Sequence, residues 1–453
     1  MTIAKADKHL RAGRHGEALK AFRKILDADP ENAAAYCGLA ALSLALGKPD
    51  SAAGMVLKAL SIDPDCGDGH KIFTRVVGEL ETPEEVAQLY FGHSQDLKAK
   101  GRLDAALTIY RKALRFDPTL ALTDDHDSAH MLAAGDLQAG WMAYEWRDTI
   151  AAPGPFTDRF WNAEDLTGKT ILVWGEQGIG DHMMFANCLP DLIARVGSSG
   201  RVIVETDRRL VSLFARSFPD AVIHGSSYFK GTTPVGTQNL DWLKDYPEPD
   251  YFVFLGSLPR FLRPTLESFP KAGTRFMADP EHLTLWRQRL RDCGPGMKIG
   301  ICWRSLRMTE ETSLYFPPLA CWRALFALSG VRFINLQAGS TDPETAEIGA
   351  DLITFDDLDL VDDLDGAASL IGALDAVITA GTNIQWLAPA LGIPTWTVAK
   401  NRKDLDWGLL GQDHYPWVPD LKVHFAEEDD DLTRIFETVA GEVTMLPKPA
   451  ELL

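Results

Sequence analysis

A glycine-rich turn within residues 172–190 holds the residues best suited to bind a ligand. Gly175, Gly178 and Gly180 follow a short apolar run, and the acid Asp181 comes directly after them. Apolar residues then recur at helical spacing, so the pattern predicts a strand, a turn and a helix. In doubly wound α/β domains, ligands lie at the carboxyl end of such a strand, against the start of the helix. We therefore expect a ligand-binding turn. The alternatives are a tight strand–helix turn without a ligand and, for Asp181, a helix cap.

Two turns in the second half of the chain carry groups that suit a phosphate. Arg304 and Ser305 end one apolar strand pattern, and Gly381-Thr382-Asn383 ends another and opens a helical stretch. Free backbone N–H groups at a helix start can bind phosphate oxygens, and a guanidinium can donate a forked pair of bonds. The alternatives are a surface ion pair for Arg304 and a plain helix cap for the second turn. Two such strand ends in one sheet favour a nucleotide site.

The elements that must carry these turns begin with a helical repeat array. Asp-Pro pairs close helical stretches at residues 29–30, 63–64 and 117–118, and the first two pairs are 34 residues apart, the period of a tetratricopeptide unit. Small and aromatic residues precede each pair, which suits antiparallel helices packed in pairs. The longer second interval predicts an extra helical segment near residues 71–89, and a degenerate unit is expected at 129–147. Such arrays bind proteins or peptides, and the alternative is a spacer or an oligomerisation surface.

Two α/β regions follow the array. Apolar runs that alternate with helical patterns predict parallel sheets. Helices are predicted at 280–292, between two sets of strands, and near 432–439. The predicted strands are 170–174, 202–205, 221–224 and 251–254 in the first region, and 298–303, 331–336, 352–354, 376–379 and 395–398 in the second.

The predicted fold is a helical solenoid followed by two Rossmann-like parallel-sheet domains. A Pro- and Gly-containing stretch after residue 150 marks the boundary between the two parts. The expected segments are a repeat domain at 1–150, a linker at 151–167, a first sheet domain at 168–280, a second at 281–425, and a C-terminal helix and tail at 426–453.

Composition argues against several classes of function. The 453-residue chain has a formal net charge of −19, which argues against a nucleic-acid partner. Its six cysteines form no C-x-x-C pair, so we expect free thiols and neither a zinc site nor a disulfide framework. The chain shows no signal-peptide pattern and no apolar run long enough to span a bilayer, so we expect a cytoplasmic protein. The acidic run at 356–365 is expected to lead into the next helix rather than to bind a metal.

Together these motifs resemble the bacterial tetratricopeptide-repeat glycosyltransferases. That family has a GT-B catalytic region of two Rossmann-like domains, related to heptosyltransferases and O-GlcNAc transferases, and the resemblance covers nearly the whole chain. Finer motifs are similar to the branch that acts on flagellins, in which the repeats bind flagellin and the catalytic region transfers a nonulosonic acid such as pseudaminic acid. The stretches that carry the resemblance are Gly140-Trp141 with Tyr144-Glu145-Trp146-Arg147, Trp174 to Asp181, Asp375 to Gly392, 301–305, 331–337 and 357–366.

The resemblance implies an inverting glycosyltransferase that uses neither a metal nor a separate cofactor. Asp181 matches the acid that serves as catalytic base in heptosyltransferases, and a carboxylate there can take the proton of an acceptor hydroxyl. Gly178, Gly180 and, less strongly, His182 would lie on the substrate side of the cleft.

The resemblance also implies a nucleotide-sugar on the second sheet domain. Gln337 would lie near the base, and the phosphate would meet Arg304, Ser305, Gly381, Thr382 and Asn383. The chain departs from heptosyltransferases at Gly381 and Gln385, where those enzymes tend to carry an Asp and a His.

These departures leave the donor open. We favour a CMP-sugar, which has a single phosphate, with UDP-GlcNAc or ADP-heptose as alternatives, and an inactive scaffold or chaperone as the non-enzymatic alternative. The expected acceptor is a Ser or Thr of a flagellin-like protein that the repeats recognise.

Overall fold

The computed structural model describes residues 2–117, 120, 126–147, 159–226, 241–306, 308–339, 341, 344, 346, 352–402, 406–426 and 432–447. Contacts divide the chain into two compact units. Of the described residues, the first unit contains those up to 120 together with Trp146 and Arg147, and the second contains residues 126–145 and those from 159 onward. Pro118, the first part of the predicted linker (151–158) and Arg307 lie outside the described residues.

Seven helices make up the first unit, and small residues let them pack closely. Ala18 and Phe22, both predicted contact residues, are fully buried. A Cβ on Gly38 would lie 2.2 Å from the ring of Phe22, so only glycine lets these two helices come so near. The helices are α1 (Ile3–Arg11), α2 (His15–Ala28), α3 (Ala33–Ala45), α4 (Pro49–Ile62), α5 (Gly67–Glu79), α6 (Pro83–Ala99) and α7 (Leu103–Phe116).

The predicted extra segment near residues 71–89 is the helix α5 together with the start of α6. The break between them is encoded locally. Thr82 and Glu85 exchange side-chain and backbone bonds in a capping box, and Pro83 occupies the first helical turn. These signals begin a new helix instead of prolonging the preceding one.

A helical hairpin after the first unit belongs to the second unit by its contacts. It consists of α8 (His126–Ala133) and α9 (Leu137–Tyr144). The indole N–H of Trp141 donates to the carbonyl oxygen of Arg263 at 3.0 Å, and the Trp141 ring meets that of Trp417 edge-on. A Cβ on Gly411 would lie 3.0 Å from the Cα of Gly135, so the backbones touch there. The sequence grouped this hairpin with the repeats, whereas its contacts are with the sheets.

The first sheet has four parallel strands in the order β3-β2-β1-β4. Strand β1 lies inside the sheet between β2 and β4, so the turn that follows β1 opens at the middle of the carboxyl edge. The strands are β1 (Thr170–Trp174), β2 (Arg201–Asp207), β3 (Ala221–Ser226) and β4 (Tyr251–Phe254), and the helices are α10 (Ile179–Phe185), α11 (Leu189–Val196), α12 (Val211–Ser217) and α13 (Leu258–Leu262).

The second sheet has six parallel strands in the order β10-β9-β8-β5-β6-β7. Its central strands β8 and β5 end in the two turns that were predicted to bind phosphate. The strands are β5 (Met297–Cys302), β6 (Val331–Asn335), β7 (Leu352–Ile353), β8 (Ala376–Thr379), β9 (Thr395–Ala399) and β10 (Leu421–Phe425), and the helices are α14 (Pro280–Asp292), α15 (Glu310–Ser313), α16 (Arg323–Phe326), α17 (Leu364–Ile371), α18 (Ile384–Ala390), α19 (Asp406–Leu409) and α20 (Leu432–Thr444).

The last described helix, α20, covers one face of the second sheet. Phe436 and Val439 are fully buried in a cluster that includes Trp322 and Trp396. A helical array followed by two parallel sheets with helices confirms the predicted fold class. Among the described residues, no helix is long and apolar enough to cross a membrane.

Candidate functional site

The turn after β1 is conformationally unusual and ends in the cap of α10. Gln177 has a φ of +72°, in the left-handed region that L-residues rarely adopt. One carboxylate oxygen of Asp181 accepts the backbone N–H of Gly178 at 2.9 Å. Asp181 therefore caps α10 from inside its first turn: it is the third residue of the helix, and Gly178, not the acid, holds the N-cap position. A carboxylate offers about four acceptor positions, so this bond leaves room for a further role.

His182, predicted on the substrate side, is buried beneath the turn. Its Nδ1 lies 2.9 Å from the hydroxyl of Thr206 and accepts the backbone N–H of Asp207 at 3.4 Å. Burial lowers the pKa of His182 to about 4, so the ring is neutral at physiological pH. A Cβ on Gly175 would lie 2.5 Å from this ring, which explains the first glycine of the motif. The side chain is held by contacts at the ends of β1 and β2.

Glu176 is a second acid of the turn, and no role was predicted for it from the sequence. The residue is 5% exposed, and its carboxylate accepts the N–H of Gly256 at 3.2 Å. Gly256 lies two residues beyond β4, so this contact ties the turn to the neighbouring strand end. Its place inside the glycine motif was the signal that could have identified it.

The turn that carries Asp181 meets the turn after β8. A Cβ on Gly180 would lie 3.4 Å from the indole ring of Trp386 and 3.8 Å from the Cα of Asn383. Trp386 lies on α18, which packs against α10. Two of the three predicted ligand turns thus lie close together across the two sheet domains, with space at Gly180 for little more than a Cβ.

The turn after β8 is held by hydroxyl groups and is open on one side. The hydroxyls of Thr379 and Thr382 lie 3.0 Å apart, and Thr382 also accepts the N–H of Ile384 at 3.3 Å. A Cβ built on Gly381 meets no atom within 4 Å, so this residue faces open space. Gln385, where heptosyltransferases tend to carry a His, is buried and accepts the hydroxyl of Thr397 at 3.1 Å.

Gln337, predicted near the base, uses its amide oxygen to hold the end of β5. That oxygen accepts the backbone N–H groups of Trp303 at 3.1 Å and Arg304 at 3.0 Å. The backbone N–H of Gln337 in turn donates to the side chain of Asn335 at 2.9 Å. The side chain therefore joins the carboxyl ends of β5 and β6.

Arg304 lies beside this junction and is paired with the carboxylate of Glu344, 40 residues farther along the chain. Its Nε and Nη2 donate to the two oxygens of Glu344 at 2.6 and 2.7 Å. These bonds raise the pKa of Arg304, so its charge is permanent. Its Nη1 also donates to the carbonyl oxygen of Ser305 at 3.2 Å. The alternative of an ion pair for Arg304 is realised, with a partner that the sequence analysis did not identify.

A cavity of about 400 Å³ opens beside Gln337 at the ends of β6 and β7. Its amide donors are already used inside the protein: Asn335 donates to the hydroxyls of Thr341 and Thr354 at 3.3 and 3.2 Å, and Gln337 donates to the carbonyl oxygen of Ala338 at 3.3 Å. Carboxylates are among the remaining polar groups of the lining. The lining comprises Asn335, Gln337, Ala338, Gly339, Thr341, Thr354, Phe355, Asp356, Leu358, Asp359, Leu360, Val361 and Leu370.

The acidic run at 356–365 forms part of this cavity and leads into α17, as expected. Asp357 forms a bidentate pair with Arg289 at 2.7 and 2.8 Å. Asp363 caps α17 by accepting the N–H of Gly366 at 2.8 Å. Asp365 pairs with Arg216 of the first sheet domain. The acids are thus divided among ion pairs, a helix cap and the cavity wall.

Known proteins with similar sequences match both the repeats and the chain as a whole. Residues 9–72 and 87–120 match tetratricopeptide-repeat families, which confirms the predicted array. The chain is 30% identical to Protein FlbA of Caulobacter vibrioides over 432 residues, covering 92% of this chain and 67% of that protein.

Solved structures with a similar chain path have low sequence identity. The ADP-heptose LPS heptosyltransferase II of E. coli is 15% identical with a TM-score of 0.45, covering 61% of this chain and 98% of that one. A variant O-GlcNAc transferase of Thermobaculum terrenum is 15% identical with a TM-score of 0.31, covering 98% of this chain and 90% of that one.

Proposed function

The chain belongs to the family of Protein FlbA of Caulobacter vibrioides, and from that premise we propose that it is a glycosyltransferase that modifies hydroxyl groups of a protein. One observation carries the proposal most directly. The turn with Asp181 on the first sheet domain lies beside the turn of residues 381–383 on the second. A donor held on the second domain would therefore present its sugar to the carboxylate on the first.

In the proposed reaction, Asp181 accepts the proton of an acceptor hydroxyl. The hydroxyl oxygen forms a bond to the anomeric carbon while the bond from that carbon to the phosphate oxygen breaks. The hydrogen bond from the N–H of Gly178 holds the carboxylate in place during this step. The negative charge that develops on the leaving phosphate is stabilised by Arg304 and by the backbone N–H groups of Gly381 and Asn383. The N–H of Thr382 already donates to the carbonyl oxygen of Ala380 at 2.7 Å.

The cavity beside Gln337 is the proposed site of the nucleoside. Asp356 and Asp359 lie in its lining, and the side-chain amides of Asn335 and Gln337 already donate to protein acceptors, so the cavity suits groups that donate hydrogen bonds. Ribose hydroxyls and the exocyclic amine of cytosine or adenine are such donors, whereas uracil has a single ring N–H donor and no exocyclic amine. We therefore favour a CMP-sugar, of the kind that carries a nonulosonic acid such as pseudaminic acid, over a UDP-sugar. ADP-heptose remains the alternative with an amino-bearing base.

The repeat unit is the proposed binding site for the protein acceptor. Tetratricopeptide arrays present extended surfaces to peptides and proteins. The motifs shared with the flagellin-modifying branch make a flagellin-like protein the proposed acceptor. We also propose a cytoplasmic location, because the six cysteines are free thiols, as is usual in a reducing compartment.

An inactive scaffold is the second candidate function. The bidentate pair between Arg304 and Glu344 favours it, because that pair occupies the cation that a phosphate would need. A phosphate must displace or share Glu344, and an inactive protein would keep the pair permanently.

Nucleotide binding by the full-length protein tests the proposal. We expect calorimetric titration to detect CMP or ADP, with UDP weaker by about tenfold, the effect of one lost hydrogen bond of about 1.4 kcal/mol. Gly381→Leu should weaken binding, because its side chain would fill open space beside the proposed phosphate without disturbing packing. Gly441→Leu is the matched control, since a Cβ at that glycine also meets no atom within 4 Å. Absence of binding for all three nucleotides would contradict the enzymatic proposal.

A further inference from the structure

Arg209 connects the first sheet domain to the wall of the cavity on the second. It follows β2, and its Nε and Nη2 donate to the two carboxylate oxygens of Asp207 at 2.9 and 2.8 Å. The remaining edge of the guanidinium points across to the second domain, where Nη1 donates to the carbonyl oxygen of Val361 at 3.0 Å. Val361 lines the cavity, whereas Arg209 does not.

The same connection continues toward the proposed catalytic carboxylate. The backbone N–H of Asp207 donates to Nδ1 of His182 at 3.4 Å. His182 is buried on α10 and is the neighbour of Asp181 in the chain. A continuous series of bonds therefore runs from α10 through Asp207 and Arg209 to the cavity wall.

The chemistry of the guanidinium suits this task. Arginine is planar and presents donors in a fixed fork, so it can grip a carboxylate with one edge and reach a carbonyl with another. Bonds from Asp207 raise the pKa of Arg209, which keeps the group charged. Burial raises the pKa of Asp207, but the bonds from Arg209 outweigh it, and the net effect is a lowered pKa. The pair is thus ionised and only partly exposed. Lysine has a single nitrogen and could not make these three contacts in the same plane.

We propose that Arg209 is a positioning residue that fixes the wall of the nucleotide cavity from the acceptor-side domain. Nucleotide affinity then depends on a side chain that touches no nucleotide, and filling the cavity is coupled to the placement of α10. This inference rests on the proposed function in that it takes the cavity as the nucleoside site.

The chain offers a matched control at the same domain boundary. Arg216 of α12 also crosses to the second domain, where it pairs with Asp365 on α17. Asp365 does not line the cavity. If the arginines act only by holding the two domains together, variants of Arg209 and Arg216 should change nucleotide affinity equally. If Arg209 fixes the cavity wall, only its variant should change nucleotide affinity and the amide exchange of the wall.

The test compares Arg209→Lys and Arg216→Lys in the full-length protein by hydrogen exchange and by titration with CMP, ADP and UDP. Without nucleotide, we expect faster amide exchange in residues 356–362 for Arg209→Lys only. With the nucleotide that the wild type binds best, we expect about tenfold weaker binding for Arg209→Lys, as for the loss of one good hydrogen bond. For Arg216→Lys we expect a change of less than about twofold. Asp207→Asn, which keeps the shape of the partner, serves as the second variant should Arg209→Lys unfold.

Each outcome decides a different question. Equal exchange and equal binding in wild type and Arg209→Lys would overturn the inference, as would equal effects from both arginine variants. A wild type that binds none of the three nucleotides would overturn the proposed function. In that case the exchange experiment would still decide whether Arg209 fixes the cavity wall.

Discussion

Gly180 faces Asn383 across the two sheet domains, so closely that a Cβ on the glycine would lie 3.8 Å from the asparagine Cα. The residues are distant in the chain and end two turns that the sequence marked independently. Their proximity places the two candidate turns side by side, as the proposed function requires.

The size limit at position 180 gives the first prediction. Gly180→Ala adds a Cβ at ordinary contact distance from Trp386 and should keep both stability and transfer activity. Gly180→Val adds methyl groups that the indole cannot avoid, at a cost of about 1–3 kcal/mol in unfolding free energy. Transfer activity should also fall, because the larger side chain pushes the two turns apart. Denaturant unfolding and transfer assays on both variants measure this, and equal behaviour of the two would contradict the contact.

Replacement of the proposed base separates catalysis from capping. Asp181→Asn retains an oxygen that can accept the N–H of Gly178, so the helix cap should persist. Transfer should fall by about two to four orders of magnitude because the amide cannot take a proton. Nucleotide binding should stay near that of the wild type.

Asp181→Ala is the control for that variant, since it loses both the base and the cap. It should lose stability by about 1 kcal/mol in addition. If Asp181→Asn kept the wild-type rate of transfer, Asp181 would act only as a helix cap.

Burial of a neutral histidine predicts how stability depends on pH. Burial lowers the pKa of His182 from 6.5 to about 4. Between these values the unfolded chain takes up a proton that the folded chain does not, so stability falls as pH falls through this window. The loss is about 3 kcal/mol at most. His182→Gln should flatten this slope in the unfolding of the sheet unit.

His93 provides the matched comparison in the other unit. Burial lowers its pKa to about 4 as well, and it lies on α6 of the repeats. His93→Gln should therefore alter the pH dependence of the repeat unit and leave that of the sheets unchanged. Unfolding followed from pH 7 to 4 in both variants measures the difference. An unchanged slope in His182→Gln would show that the ring is protonated in the folded protein.

The hairpin of α8 and α9 predicts which truncations survive. Removal of residues 1–123 leaves Trp141 in place and should give a folded sheet unit that binds nucleotide but does not modify the native protein acceptor. Removal of residues 1–147 deletes Trp141 from its buried site against Trp417, where loss of a tryptophan costs about 3–5 kcal/mol. Circular dichroism and nucleotide titration distinguish the two. Equal stability of both truncations would contradict the assignment of the hairpin to the sheets.

Where the local signals were strong, the sequence predicted the fold closely. Strand β1 and helix α14 have the predicted bounds, because an unbroken apolar run defines the first, and Asp279 and Pro280 begin the second. Strand β10 was missed. It is a five-residue edge strand in which Lys422 and His424 alternate with Leu421, Val423 and Phe425, so the alternation that indicates a strand was present and was overlooked.

The sequence pointed to the turns of the candidate site but not to the residues that pair with them. The turns at Asp181 and Gly381 were found because glycines interrupt apolar runs there. The pairing of Arg304 with Glu344 and the bond from Arg209 to Val361 join residues far apart in the chain. Such contacts depend on how separate loops converge in space, which no local pattern encodes. The roles of Gln337 and His182 likewise depend on strand register.

Because α8 and α9 pack in the sheet unit, the boundary between the two units lies before residue 126, within the segment that the sequence predicted to be a repeat array. The last helical pair packs against the sheet unit and belongs to it, whereas the helices before it form a separate unit. Under the proposed function, the acceptor-binding surface of those helices could change in sequence or length while the sheet unit keeps the hairpin that supports it. Relatives of this protein could in this way change the protein that they modify while the sheet unit stays the same.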